Sequence, residues 1–287
     1  MTAAEPLTTA LSARPPEAQV RSERRDARRE RWRLLRRRPA FIFGSLVLLF
    51  WLVCAIGGEH VSPHGAKEVG LTSGAVSPSG SHPLGTDQLG RDVLSRVMVG
   101  ARDVLLTAPA VALLSVVAGT LLGLLAGYMR GVADEVVSRV MEAVLAIPVI
   151  LIGLVVLTNF GSSRWVLIFT VSFLFTPIVF RTVRAATLAE ADLDYVTSAR
   201  LRGEGPIFTM TREILPNITG PIVVEATVRV GYAVFTIATL QFIAGGGDPA
   251  NPEWGNQIAQ FYNQIQGGTW WPTIFPALAL ASLVTAI

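Results

Sequence analysis

Lysine is almost missing from this chain: of its 24 basic residues only Lys67 is a lysine, and it follows Ala66. A phosphate-cradling loop needs Gly-Lys followed by Ser or Thr, so the chain carries no such loop of its own. Cysteine is just as scarce. Cys54 stands alone in an apolar run, which excludes an internal disulfide and leaves the compartment unreadable from cysteine usage. Charge is low too, at 16% of residues, against 51% hydrophobic residues and a mean hydropathy of +0.49. That balance does not suit an ordinary soluble domain and does suit a polytopic membrane protein. No nucleophile–base pattern stands out. His82, Asp87 and Asp92 invite thought of a metal, but their spacing matches no recognised ligand set. Neither a metal nor a cofactor bound by this chain is expected.

What is present is a series of apolar runs behind a basic leader. Residues 1–38 hold eleven arginines, ending in Arg36-Arg37-Arg38. They are expected to be a cytoplasmic extension, partly disordered for want of apolar surface, with residues 21–38 able to lie on anionic lipid as a basic helix. Nucleic acid is not expected as its partner, because a basic flank beside an apolar segment ordinarily sets topology. Apolar runs follow at 41–56, 104–128, 136–158, 165–180, 221–244 and 273–287. Each reads as a membrane helix, which makes an all-α membrane protein of six transmembrane helices. The long basic flank and the lack of an A-x-A site argue that the first is an uncleaved anchor. Arginines before it put the N-terminus in the cytoplasm. The domain reading is then 1–38, 39–102 for the first helix and an external segment, and 103–287 for a five-helix core.

Several residues interrupt or mark these runs. Thr86 or Asp87 is placed to cap a helix whose apolar face holds Val93, Leu94, Val97 and Met98. Gly119, Gly123 and Gly127, four apart, share a helix face and let another helix approach. They are read as packing residues, within the bundle or against a partner. Pro148 predicts a kink in the third run. Glu225 and Arg229, four apart in the fifth, share a face and can pair. They are read as an internal ion pair or, more sharply, as a lining of a pathway. Trp270-Trp271 is read as an interfacial anchor for the last run, which is short enough to suggest that the C-terminus is truncated or unusual.

The stretch 195–217, YVTSARLRGEGPIFTMTREILPN, lies between the fourth and fifth runs. About two helical turns close at Gly203, since glycine accepts positive φ at a helix end. Pro206 then opens a second helix, expected over 207–213, and Leu215-Pro216 opens the next. With the N-terminus inside, the fourth helix ends in the cytoplasm, and this elbow lies there.

This elbow resembles the cytoplasmic coupling loop of permease subunits of binding-protein-dependent ABC importers, whose pattern is Glu-Ala-Ala, three residues, Gly, nine residues, Ile-x-Leu-Pro. Ala199, Gly203, Leu215 and Pro216 match; Thr197, Ser198 and Glu213 depart from it. The stretch 82–96, HPLGTDQLGRDVLSR, is similar to a signature of the dipeptide, oligopeptide and nickel branch, in its C-type permease. Leu145-Ala146-Ile147-Pro148 and Pro252-Glu253-Trp254-Gly255 also resemble family segments. The resemblance spans about 33–287. It implies the type I importer permease fold in the bacterial cytoplasmic membrane, with a coupling helix between helices 4 and 5 in a loop at 190–217. Tyr195, Thr197, Ser198, Ala199, Arg200, Gly203, Leu215 and Pro216 would then contact an ATPase. Glu225, Arg229, Trp254 and Gly255 would line the pathway or face an external solute-binding protein. The implied partners are a paralogous permease, one or two ATPase subunits carrying ATP and Mg, the binding protein and the bilayer. The implied substrates are peptides first, then nickel chelates, glutathione or haem. Two other classes remain: an ion-coupled secondary transporter, disfavoured by six spans with no evident repeat, and a membrane enzyme or assembly scaffold, for which no catalytic cluster stands out in the sequence.

Overall fold

The computed structural model describes residues 38–245 and 247–287, so the arginine-rich extension expected over 1–38 lies, but for Arg38, outside the described residues. The chain falls into two units, Met1–Leu46 and Val47–Ile287. Of the first unit, the described residues are Arg38 and the opening turns of helix α1, Pro39–Gly57. The second holds the rest of α1 and all that follows.

After α1 the chain makes a short 3₁₀ turn, Gly58–His60. It then runs without a long helix to α2, Val93–Met129, a helix of 37 residues. Both expectations for its start need correction. The cap is neither Thr86 nor Asp87 but Asp92, whose carboxylate accepts the Ser95 N–H at 2.8 Å. The helix also begins eleven residues before the apolar run. Arg96 does not break it, because its guanidinium is buried against the carbonyls of Ala66, Pro249 and Asn251, each at 3.2 Å. A charge with enough hydrogen-bond acceptors is tolerated inside.

The third run is not one kinked helix. It is α3, Gly131–Ala146, and α4, Val149–Phe160, bent by 81° at Ile147-Pro148. Pro148 has no N–H to give and forces its predecessor out of the α region; Ile147 has φ −96° and ψ 130°. Helix α5, Arg164–Ala191, follows, capped by Ser163. It lies parallel to α2. The pairings Arg164–Asp103, Val179 with Gly119, Val183 with Gly123, Thr187 with Gly127, and Asp192–Arg130 step along both helices together. The chain between two parallel neighbours must return from the far end of one to the near end of the other, so α3 and α4 together make a single traverse.

The glycine stripe makes this pairing close. A Cβ at Gly119 would stand 2.6 Å from Val179 Cβ, and one at Gly123 would stand 2.8 Å from Val183 Cβ. The stripe's face is spent inside the bundle. Helices α6, Asp194–Leu201, α7, Pro206–Phe208, and α8, Leu215–Asn217, form the elbow. Then come α9, Thr219–Ile243, α10, Trp254–Phe261, and α11, Trp271–Ala286.

Among the described residues four helices are long and apolar enough to cross a membrane, five when the bent pair counts as one; α11 has 16 residues and falls below that length. The expected six is therefore not reached by length and composition. The main core joins Trp51, Val97, Val111, Leu240, Trp254, Trp271 and Leu283. Trp271 is not an interfacial anchor: it is buried and its Nε1–H donates to Thr86 O at 2.9 Å. Trp270 is the exposed member of the pair.

Candidate functional site

The elbow is built from α6 outward. Its closing turn is fully hydrogen-bonded. Gly203 N–H donates to Arg200 O at 3.0 Å and Glu204 N–H to Ala199 O at 3.2 Å, with Gly203 at φ 81°. This is the Schellman arrangement, which satisfies carbonyls left open at a helix end and needs a left-handed residue. A Cβ at Gly203 would meet nothing within 4 Å. Glycine is required there by backbone conformation alone, and the site stands open.

Pro206 starts α7, but the second helix does not stop at Glu213 as expected. It continues through a wide π turn, Thr209–Ile214, into α8. Leu215 N–H donates to Met210 O, five residues back. Such widened turns are rare and occur mostly as single turns inside α-helices. Here it comes just before Pro216, which has no N–H to contribute.

The inner side of the elbow is packed. Val196, Ala199, Thr209 and Ile214 are buried, and Val196 and Ile214 join Val179, Val183, Ala191 and Ile218 in one apolar cluster. Polar ties reinforce it. Tyr195 Oη donates to Glu190 Oε2 at 2.6 Å, and Asn217 Nδ2 donates to Tyr195 Oη at 3.2 Å. Burial, then the bond to Glu190, pushes the Tyr195 phenol up to about 12. It is therefore a donor throughout the physiological range. Arg200 stacks on Tyr128, its Cζ 4.7 Å from the ring centroid. Arg130, at the end of α2, pairs with Asp192 at 2.6 Å.

The outer side carries apolar residues that nothing covers. Leu201 is 84% exposed and Ile207 74%, with Phe208 beside them. A rigid inner side with an apolar outer tip is the signature of a surface made to be covered. Of the residues singled out in the sequence, Ala199 faces inward, while Arg200 and Gly203 are on the open side. Thr197, Ser198 and Pro216 are exposed, and Tyr195 and Leu215 are half-buried. Leu201 and Ile207 were missed. The signal was there: two bulky apolar residues flank a Gly-rich turn that no core needs.

Away from the elbow, Glu225 and Arg229 pair at 2.9 Å. Thr182 Oγ1 donates to Glu225 Oε1 at 2.8 Å, and Arg229 lies between the rings of Phe175 and Tyr232. Thr182 also borders a cavity of about 860 Å³ lined by Ser138, Glu142, Leu145, Arg181 and Arg184. Arg184 is held by both oxygens of Asp134. Arg181 has no acidic partner within 4 Å among the described residues. Glu142, also on the lining, is paired with Arg139 at 3.2 Å.

Trp254 and Gly255 are not on an external surface. Trp254 is fully buried, its Nε1–H donating to Val97 O at 2.8 Å, and a Cβ at Gly255 would stand 2.4 Å from Gln241 Oε1. The three residues weighed as metal ligands do not converge either. Asp87 is engaged by Arg91 at 2.6 Å, while His82 Nδ1 is 3.0 Å from Asp92 Oδ1.

Residues 119–287 match the family model described as binding-protein-dependent transport system inner membrane component. The chain is 33% identical over 263 residues to a dipeptide transport system permease protein, DppC, of Haemophilus influenzae, covering 90% of this chain and 89% of that one. It is 36% identical over 263 residues to DppC of Escherichia coli K12, covering 90% and 87%. The glutathione transport system permease protein GsiD of Pectobacterium atrosepticum is 33% identical over 262 residues, covering 90% and 86%.

Proposed function

Because this chain belongs to the family of binding-protein-dependent transport system inner membrane components, we propose that it is the C-type permease of an ATP-driven peptide importer. It works beside a paralogous permease, with the peptide pathway between them. It is a multi-pass membrane subunit without a catalytic step of its own. ATP and Mg sit on one or two partner ATPase chains, and the peptide arrives on a solute-binding protein outside the bacterial cytoplasmic membrane. The N-terminus and the elbow lie in the cytoplasm. The core of the importer fold is residues 103–287.

The observation that carries this reading is the elbow. Its inner side is locked to the ends of α2 and α5, and its apolar tip is open. The tip seats in a groove on an ATPase, with Leu201 and Ile207 as anchors and Tyr195, Thr197, Ser198, Ala199, Arg200, Gly203, Leu215 and Pro216 shaping the contact. Closure of two ATPases around ATP moves both elbows, and the bundle exchanges inward-facing for outward-facing states. Arg181, on the cavity wall with no acidic partner within 4 Å among the described residues, offers a cation to a peptide's carboxylate. The DppC relatives are named for dipeptides. Glutathione, from the name of the GsiD relative, is chemically a peptide as well, so it falls within the same substrate class.

The test is Ile207→Asp in the complete importer. Losing an apolar anchor of this size costs about 1.5–3 kcal/mol, which is roughly tenfold or more in docking affinity. Peptide uptake is expected to fall at least about tenfold while the chain still inserts and pairs. Uptake equal to wild type at limiting ATPase subunit would overturn the assignment.

A further inference from the structure

Three donors that are distant in sequence meet beside the start of α2. His64 lies just after the 3₁₀ turn, His82 in the long connection, and Asp92 at the cap of α2. Their ligand atoms all lie within 4.8 Å of one another. His82 Nδ1 is 3.0 Å from Asp92 Oδ1, and His64 Nδ1 is 3.9 Å from Asp92 Oδ2. The His64 and His82 rings face each other with centroids 4.9 Å apart. Asp92 is fully buried and His82 nearly so.

Two further details set this cluster apart from a simple capping network. His64 Nδ1 is buried and has no hydrogen-bond partner. A buried imidazole nitrogen left unsatisfied is costly unless something else occupies its lone pair. The second detail is the support behind the donors. Ser95 Oγ donates to Asp92 Oδ2 at 2.7 Å and accepts the His64 N–H at 3.1 Å. One hydroxyl thus orients the carboxylate and tethers the backbone of His64. Such outer hydrogen bonds are what hold metal ligands in place.

We propose that His64, His82 and Asp92 form a binding site for a divalent ion of the zinc type. Two imidazoles and a carboxylate are the donor set such ions take. Around tetrahedral zinc, neighbouring N and O ligands stand about 3.3 Å apart for bonds of about 2.0–2.1 Å. The 3.0 and 3.9 Å separations bracket that value. Rotation of His64, the most exposed of the three, closes the set, and a water completes it. With the ion on Nδ1 the single N–H of neutral His82 sits on Nε2, and because the donors must be free of added protons, protons compete with the metal for them. A bound ion would staple the turn after α1, the connection and the cap of α2 together. Hard ions that prefer six or more oxygens, such as Mg²⁺ and Ca²⁺, do not fit this set.

The experiment uses the full chain, purified from membranes with its co-purifying subunits, stripped with chelator and titrated with Zn²⁺. Metal content, a competing-chelator titration and the Co²⁺ visible spectrum are read. Wild type is expected to hold one more Zn²⁺ per copy than His64→Ala, whose affinity falls at least about tenfold. Zn²⁺ is expected to raise the melting temperature of wild type and not of His64→Ala. Without metal the two should melt within a few degrees of each other, since the variant loses a ring contact with His82 and also loses an unsatisfied nitrogen. His64→Cys, which keeps a donor, should restore binding, and His60→Ala, at an exposed histidine nearby, should leave it intact. Wild type that binds no Zn²⁺, or His64→Ala and His82→Ala that both bind like wild type, would overturn the proposal.

Discussion

Trp254→Ala is the perturbation with the most to say about the bundle. The side chain is fully buried, packs edge-on against Trp51 at 4.7 Å between centroids, and donates to Val97 O at 2.8 Å. It also fits over Gly100, where a Cβ would come within 2.9 Å of the indole. Truncation leaves a cavity bounded by α1, α2 and α10, and Trp→Ala in such settings costs about 3–5 kcal/mol. The hydrogen bond contributes about 1 kcal/mol within that figure. Its loss orphans no donor, because the donor leaves with the ring, and Val97 O keeps its place in the helix. Trp254→Phe retains most of the contact area and loses the N–H, so about 1–2 kcal/mol is expected. At roughly 2–4 °C per kcal/mol for chains of comparable size, the Ala variant should melt on the order of 10 °C below wild type. The assay is thermal unfolding in detergent, followed by the monodisperse fraction. Trp165→Ala, at a ring that is 67% exposed, is the control and should shift by less than about 0.5 kcal/mol. If Trp254→Ala melts with Trp165→Ala, the packing described for α10 is wrong.

Glu253 should make stability depend on pH. Burial first, and then the nearby Asp103 charge, push its carboxyl up from 4.5 to about 7, against the opposing pull of Arg164. A raised carboxyl holds its proton more tightly in the folded state. The stabilisation is therefore complete below about pH 4.5 and fades as pH rises through about 7. At most about 3 kcal/mol is at stake. Glu253→Gln should melt independently of pH across that window and above wild type at pH 8, and a wild-type profile in the variant would contradict the burial. Gly123→Ala should cost about 1–3 kcal/mol by overpacking, because its Cβ would sit 2.8 Å from Val183 Cβ and 3.0 Å from Arg184 N. Gly220→Ala, with open space around it, should be neutral or stabilising by up to about 1 kcal/mol. Equal melting of the two variants would refute the close approach of α2 and α5.

Local chemistry was the legible portion. Gly203 could be read as a helix end because a left-handed turn leaves glycine a signature, and Glu225–Arg229 because four-residue spacing fixes a shared face. The cap of α2 was misassigned because Thr86, Asp87 and Asp92 all offer a capping oxygen within seven residues. Asp87 is taken by Arg91 four residues on, and Thr86 Oγ1 donates to Gly74 O, which leaves Asp92 to cap. The helix around Val93–Met98 and the apolar run from 104 read as separate features because Arg96, Arg102 and Asp103 lie between them; that Arg96 is tolerated inside one continuous helix depends on the carbonyls of Pro249 and Asn251, over a hundred residues away. Pro148 announced a break but not its size, since the bend depends on what α3 and α4 each pack against. His64 was invisible as a partner of Asp92, for proximity across 28 residues of irregular chain is written in no local pattern. The burial of Trp254 and Trp271 was misread for the same reason: aromatic residues at a helix start look alike whether they face lipid or core.

The glycine stripe has a mechanical meaning. At about 1.5 Å per residue, the 37 residues of α2 extend about 55 Å, well beyond the ~30 Å hydrocarbon slab. Along the C-terminal half of that length α5 is meshed with it turn by turn, and Arg130 pairs with Asp192 at the ends. Two rods interlocked in this way resist sliding and bending far better than either alone. They act as one strut, with the elbow fixed to one end and the Asp92 cap at the other. A small push at the elbow therefore arrives at the opposite face of the bundle as a tilt of the whole strut, instead of dying away in the nearest turn.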